Sequence, residues 1–171
     1  MAEKLVPKII GLFGGLTGIA FGKEILVFII SMTPILELRG GLIAASLLGL
    51  DPVRAYIISI IANIIPIPII LWFVKAVLDF MKKHNIMEKL VLWLEEKVNS
   101  KKESIEKAEF WGLLLFVGIP LPGTGAWTGC LIAALLGIEK KKAFLAATLG
   151  VIMASIIMMF LSYGVLGAII G

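Results

Sequence analysis

The chain has 171 residues, 60% of them hydrophobic and 16% charged, with a formal net charge of +4 and a mean hydropathy of +1.05. Soluble domains are about 45–50% apolar and about 25% charged, and a chain this short must keep much of its surface polar, so a soluble domain is excluded. No basic stripe is interleaved with stacking aromatics, which argues against nucleic acid as a partner. The composition is that of a single-domain integral membrane protein with membrane lipids around it.

The first 24 residues carry the short, glycine-rich run Ile9 to Phe21, followed by Lys23-Glu24 and no small-residue cleavage site. It reads as a retained short helix that lies in the membrane interface or packs beside the bundle. A full span needs about 20 apolar residues. Ile25 to Leu36 has 12 and Gly40 to Leu50 has 11, with Glu37-Leu38-Arg39 between them. Runs of about 10–14 residues are better read as re-entrant than as spanning. The pair therefore predicts a hairpin that enters the bilayer, turns near mid-depth and leaves on its own side.

Ala55 to Val74 is long enough to cross and contains Pro66 and Pro68. Residues 75–109 are the one substantial polar stretch. Phe80, Met87, Val91, Leu94 and Val98 recur there at spacings of 7, 4, 3 and 4, which predicts an amphipathic connector helix on the membrane surface. Phe110 to Ile119 and Ala126 to Ile138 then repeat the short-run pattern around "PLPGTG", and Ala143 to Tyr163 is a second full span.

Sliding residues 34–68 onto 122–156, an offset of 88, makes eight of 35 positions identical. Pro34 falls on Pro122, Gly41 on Gly129, Ala45 on Ala133, Leu47 to Gly49 on Leu135 to Gly137, and Ala55 on Ala143. The coincident proline, glycine and charge punctuation indicates a duplication. Each unit, a hairpin followed by one span, crosses once, so the second copy starts on the opposite face. The predicted fold is thus all-α, with two inverted repeats (25–74 and 110–171) joined by the 75–109 connector. Such folds place their site at the midplane between repeats. The face bearing the connector and Lys140 to Lys142 holds eleven lysines, against Lys4, Lys8, Lys23 and Arg54 on the other, which puts the connector in the cytoplasm and the chain in the plasma membrane.

Glu37 and Arg39 are the sharpest feature. Each costs roughly 2.5–3.5 kcal/mol at mid-membrane on insertion scales, so both need a reason to be there. One reading is a mutually neutralised pair pinning the hairpin tip. The other is a proton or substrate site, in which Glu37 changes protonation during transport and Arg39 holds an anion with its planar fork. The tips supply the further binding candidates Pro34, Gly40, Gly41, Pro120, Pro122, Gly123, Thr124, Gly125, Trp127 and Thr128. Thr124 is the expected N-cap of a half-helix starting near Ala126, facing a second half-helix that starts near Gly40. Two such N-termini facing each other form an anion site. Asn63, the one strongly polar side chain of the first span, fits either a helix-to-helix hydrogen bond or a ligand contact. Asp51-Pro52 reads as a cap followed by proline at the first helical position.

Cys130 stands alone, so no disulfide forms within the chain. His84 is the only histidine, and no glycine-rich phosphate loop with lysine is present. Neither an enzyme nor a cofactor or metal is therefore expected.

"PILELRGGL" together with "GIPLPGTGAWTG" resembles the small multidrug export protein family, distantly related to the DedA/VTT membrane proteins. The resemblance implies paired re-entrant hairpins in inverted repeats and export of small molecules. The DedA-type relatives look like proton-motive-force-dependent transporters or flippases of carrier lipids such as polyprenyl phosphates, with acidic residues in the first hairpin and arginines in the second. Glu37 fits the acidic slot, but Arg39 lies in the first hairpin and the second has none, which speaks against a polyprenyl-phosphate substrate. The expected function is a small, proton-coupled secondary transporter. The alternatives are a lipid flippase or scramblase and a non-transporting structural module. A homodimer is expected, because one copy offers few helices to enclose a cavity.

Overall fold

Proline and glycine decide where these helices stop. In the computed structural model, which describes residues 2–13, 15, 18–84 and 102–165, the described residues form helices and no strand. In chain order they are α1 (Ala2–Leu12), α2 (Gly22–Met32), α3 (Glu37–Leu47), α4 (Pro52–Ile64), α5 (Pro66–Lys83), α6 (Lys102–Gly118), α7 (Ala126–Leu135) and α8 (Lys140–Met159). The end of α8 widens into a π-helical turn over Phe160–Val165. The middle of the predicted surface connector, residues 85–101 with Met87, Val91, Leu94 and Val98, lies outside the described residues. At its two ends the helices run through: α5 continues past Val74 to Lys83, and α6 starts at Lys102, ahead of Phe110.

The turns after α3 and α7 have the same local structure. Gly49 and Gly137 adopt φ of 62° and 71°, a left-handed backbone that only glycine takes cheaply. Leu50 N–H donates to Ala45 O at 2.9 Å, and Ile138 N–H donates to Ala133 O at 3.0 Å. This bond pattern closes a helix with its last carbonyls satisfied. Asp51 and Glu139 then enter the next helix with φ/ψ of −52°/130° and −54°/126°. Asp51 Oδ1 accepts from Arg54 N at 3.0 Å, the expected cap, with Pro52 at the first helical position. These paired positions are all 88 residues apart.

The outer ends of α2 and α3 lie together, because Lys23 Nζ donates to Leu48 O at 2.7 Å. Their inner ends lie well inside the bundle. A Cβ on Gly41 would sit 1.8 Å from Ser31 Oγ and 3.2 Å from Ser59 Oγ of α4. Later in the chain, a Cβ on Gly118, at the inner end of α6, would meet Met153 and the Gly150 carbonyl. Gly150 is ten residues into α8, about 15 Å along it.

Two helical stretches are long and apolar enough to cross a membrane, Pro52–Val74 (23 residues) and Lys140–Gly164 (25 residues). They run antiparallel. At one end Lys140 Nζ lies 5.3 Å from the centroid of the Trp72 ring. At the other, Tyr163 Oη donates to Leu50 O at 3.0 Å and Ser46 Oγ donates to Ser162 O at 2.7 Å. The first stretch is broken at Ile65. Pro66 and Pro68 have no N–H, so the carbonyls of Ala62 and Ile64 lose their usual donors and the helix turns.

Burial is inverted relative to a soluble bundle. The inner face of α8 is Ala143, Ala146, Ala147, Gly150, Val151, Ala154, Ser155 and Met158, while Leu145, Leu149, Ile152, Ile156 and Phe160 are exposed. Small residues inside and large apolar residues outside are how helices associate in lipid, where backbone proximity rather than hydrophobicity drives packing. The two cores also exchange segments. Ala55 of α4 belongs to the core around α2 and α3, while Ile67, Ile70 and Leu71 of α5 belong to the core around α7. In α8 the order reverses: Ala143 to Val151 pack in the second core, Ala154 and Met158 in the first. Helix α1 lies beside the bundle against α3, with Val6 fully buried.

Two glycine substitutions test this packing. A Cβ on Gly150 would lie 2.7 Å from Val117 Cβ and 2.8 Å from the backbone carbonyl of Leu114, which cannot move aside cheaply. Gly150→Ala is expected to destabilise by about 1–3 kcal/mol. A Cβ on Gly112 meets nothing within 4 Å, so Gly112→Ala should stabilise α6 by about 0.5–1 kcal/mol. Thermal unfolding in detergent reads both.

Candidate functional site

The first tip follows from one strained residue. Thr33 ends α2, its hydroxyl donating to Ile30 O at 2.8 Å, and Pro34 and Ile35 project outward. Glu37 begins α3 with φ of 50°, a left-handed conformation that a glutamate adopts only when its surroundings hold it there. Its side chain is 4% exposed. The carboxylate reaches across to the second hairpin, where Oε2 accepts from Ala126 N at 3.2 Å and Oε1 accepts from Trp127 N at 3.0 Å. Those amides are the first two of α7, which a helix leaves without internal partners.

Glu37 therefore caps α7 from the other hairpin. Helix α7 enters through Gly125, at φ 131° and without a side-chain cap of its own. The expected N-cap, Thr124, does something else. Its hydroxyl is within reach of Ile119 O (2.9 Å) and Leu121 O (2.8 Å), and it accepts from Arg39 Nη2 at 2.8 Å. Gly125 takes the cap position because no larger residue fits: a Cβ there would sit 1.9 Å from Glu37 Oε2.

Arg39 completes the contact. Its Nη1 donates to Leu121 O and its Nη2 to Thr124 Oγ1, so the guanidinium fork grips the turn before α7. Trp127 returns the grip, with Nε1 donating to Met32 O at 3.2 Å. Five hydrogen bonds thus cross between the tips, and among the described residues no ion pair joins Glu37 to Arg39. The two charges thus make their hydrogen bonds across the tips rather than as an ion pair with each other, and the first amides of α7 are occupied by the chain's own carboxylate. Arg39→Gln is expected to destabilise by about 2 kcal/mol, since hydrogen bonds to charged groups contribute about 1.5–3. Arg39→Lys should not restore the loss, because a point charge cannot span both acceptors. Chemical unfolding of the purified variants checks this.

The remaining candidates separate. Gly40 and Gly41 are buried and serve close packing, Gly40 against Leu36 and Gly41 against Ser31. Pro34, Pro122 and Gly123 are exposed at the tips, and Pro120 and Thr128 are half-buried. Asn63 is 2% exposed, with Oδ1 lacking a hydrogen-bond partner, so the expected helix-to-helix bond is not made through that oxygen. Sequence reasoning missed Ser31 and Ser59, both fully buried with unpartnered hydroxyls beside Gly41. Serines in apolar runs give no periodic signal. Cys130 is buried among apolar residues of the second core. Among the described residues no cluster of His, Cys, Asp or Glu could hold a metal ion.

Two long apolar helices, an inverted burial pattern and two broken hairpins clasped at their tips define a helical membrane protein built around that clasp. Residues 37–157 match the family described as "Putative small multi-drug export protein", and the chain belongs to that family. Comparison with curated proteins and with solved structures gives no match.

Proposed function

We propose that the chain is a small, proton-coupled secondary exporter of the plasma membrane, with its site at the clasped tips of two re-entrant hairpins in inverted repeats. The observation that carries this is the Glu37 carboxylate seated on the Ala126 and Trp127 amides. The family description supports export. The paired turns 88 residues apart, the antiparallel long helices and their exchanged halves support the repeats. Lysine placement supports a cytoplasmic connector.

The chemistry follows from what protonation changes. An ionised Glu37 accepts two amide hydrogen bonds and faces the positive end of α7, which favours the charged form's contacts. A proton on the carboxylate removes that charge and one of the acceptor positions, so the clasp weakens. The α7 amides that Glu37 held are then freed for an incoming group, and deprotonation re-closes the tips. Protonation is thereby exchanged against substrate occupancy, which is what coupling requires.

The tips also bear Ile35 at 71% and Leu121 at 55% exposure. Irregular backbone at mid-membrane must be covered by protein or line an aqueous cavity. Apolar side chains favour protein, so a second copy covering the tips is part of this reading. The same exposed apolar side chains, met by lipid instead of a second copy, favour a second reading, passive lipid scrambling of the DedA type.

Flux of the anionic dye calcein driven by a pH gradient, in vesicles holding the purified chain, separates these. The exporter reading predicts gradient-dependent flux whose pH dependence disappears in Glu37→Gln. Unchanged pH dependence in that variant removes Glu37 from coupling. Loss of asymmetrically placed fluorescent lipid in gradient-free liposomes, with no calcein flux, selects scrambling instead.

A further inference from the structure

The two copies of the charged turn share a backbone and differ in how their charges are answered. In the first copy Asp51 accepts from the Arg54 amide, and Arg54 Nη1 lies 3.7 Å from Glu24 Oε1. In the second copy Lys140, Lys141 and Lys142 open α8, and the ion pair among the described residues is Lys142 with Glu139, at 3.7 Å. Three cations at the positive end of a helix are mutually unfavourable and unfavourable with the helix dipole. All three side chains are exposed.

Their surroundings match a phospholipid. Lys140 lies over Trp72, an aromatic–cation pair of the kind found where headgroups meet the hydrocarbon. Below Lys141, on the same helix face, Leu145, Leu149, Ile152 and Ile156 follow at spacings of four, four, three and four, and all are exposed. Along α8 that strip descends about 22 Å, comparable with one leaflet and part of the next. A patch of lysines above an apolar stripe offers a headgroup site and an acyl-chain path in one element.

We infer that Lys140, Lys141 and Lys142 with Trp72 form a site for an anionic phospholipid headgroup, the acyl chain lying along the exposed face of α8. Glu139 answers Lys142 alone, and the headgroup phosphate supplies a negative charge for Lys140 and Lys141. The site is separate from the tip clasp and holds whether or not the chain transports.

Native mass spectrometry of the full chain in neutral detergent, titrated with phosphatidylglycerol or phosphatidylcholine, tests this. The wild-type chain should bind phosphatidylglycerol more tightly. Each lysine-to-glutamine change should weaken that binding on the order of fivefold, since each basic residue near an anionic surface is worth about 1 kcal/mol. Phosphatidylcholine binding should stay unchanged, and Lys8→Gln, an exposed lysine on α1, should have no effect. Raised salt should reduce the preference in the wild type, and inorganic phosphate should not compete at similar concentrations, because it lacks the acyl chain. Equal retention of both lipids by the wild type, or undiminished phosphatidylglycerol binding in Lys140→Gln/Lys141→Gln/Lys142→Gln, overturns the assignment.

Discussion

Glu37→Ala is expected to destabilise the folded chain by about 3 kcal/mol and to abolish pH-gradient-driven flux. The stability loss follows from two charge-assisted bonds to Ala126 and Trp127 that no other side chain replaces. It also leaves the Arg39 guanidinium without a nearby countercharge at the tip. Glu37→Gln separates structure from coupling. Its amide oxygen still accepts from α7, so it should retain more stability than Glu37→Ala, yet it cannot exchange a proton. Unfolding midpoints rank the three chains, and flux against pH shows whether the isosteric variant loses its pH dependence. A Glu37→Ala chain as stable as the wild type contradicts the clasp.

Gly125→Ala should be the most damaging single methyl group in the described part of the chain. The added Cβ would lie 1.9 Å from Oε2, 2.6 Å from Cδ and 2.9 Å from Oε1 of Glu37. The φ of 131° is itself unfavourable for any L side chain. Backbone strain and steric overlap together give about 3–5 kcal/mol. The two parts can be resolved. Combined with Glu37→Ala, the clash disappears and only the strain remains, so the double variant should be less destabilised than the sum of the singles. Strict additivity in that cycle means the carboxylate does not occupy the space in front of Gly125.

Much of the fold was legible because membranes restrict the choices. Length alone separates Ala55 to Val74 and Ala143 to Tyr163 from the short runs, and proline and glycine at offset 88 mark the turns. Gly49 and Gly137 are recognisable for the same reason they are needed, since both adopt positive φ. The division of the first long stretch at Ile65 was foreshadowed by Pro66 and Pro68. What spacing could not give is that α5 packs with the second core while the end of α8 packs with the first. Both halves of each stretch are uniformly apolar, and nothing in that composition names the partner.

The site was legible as a location and not as a contact. Glu37 and Arg39 are separated only by Leu38, which makes them read as each other's partners. In the folded chain the same two groups meet residues 82 to 90 positions away. Thr124 looked like a cap because threonine caps helices, yet a stronger acceptor, a full carboxylate, reaches the same amides from the other hairpin. The signal that could have found this is Gly125 opposite Glu37 at the offset of 88: an acidic residue in one stretch and the smallest residue in the other leave room for one to enter the other.

In the proposed cycle Glu37 holds the two tips together only while it is ionised. Spin labels at Ile35 and Leu121, both exposed at the tips, measure this directly by pulsed electron–electron distance measurement in nanodiscs. One short distance is expected in neutral buffer, a second, longer population growing in acidic buffer, and the longer population at every pH in Glu37→Gln. A single short distance across the whole pH range in the wild-type chain contradicts it.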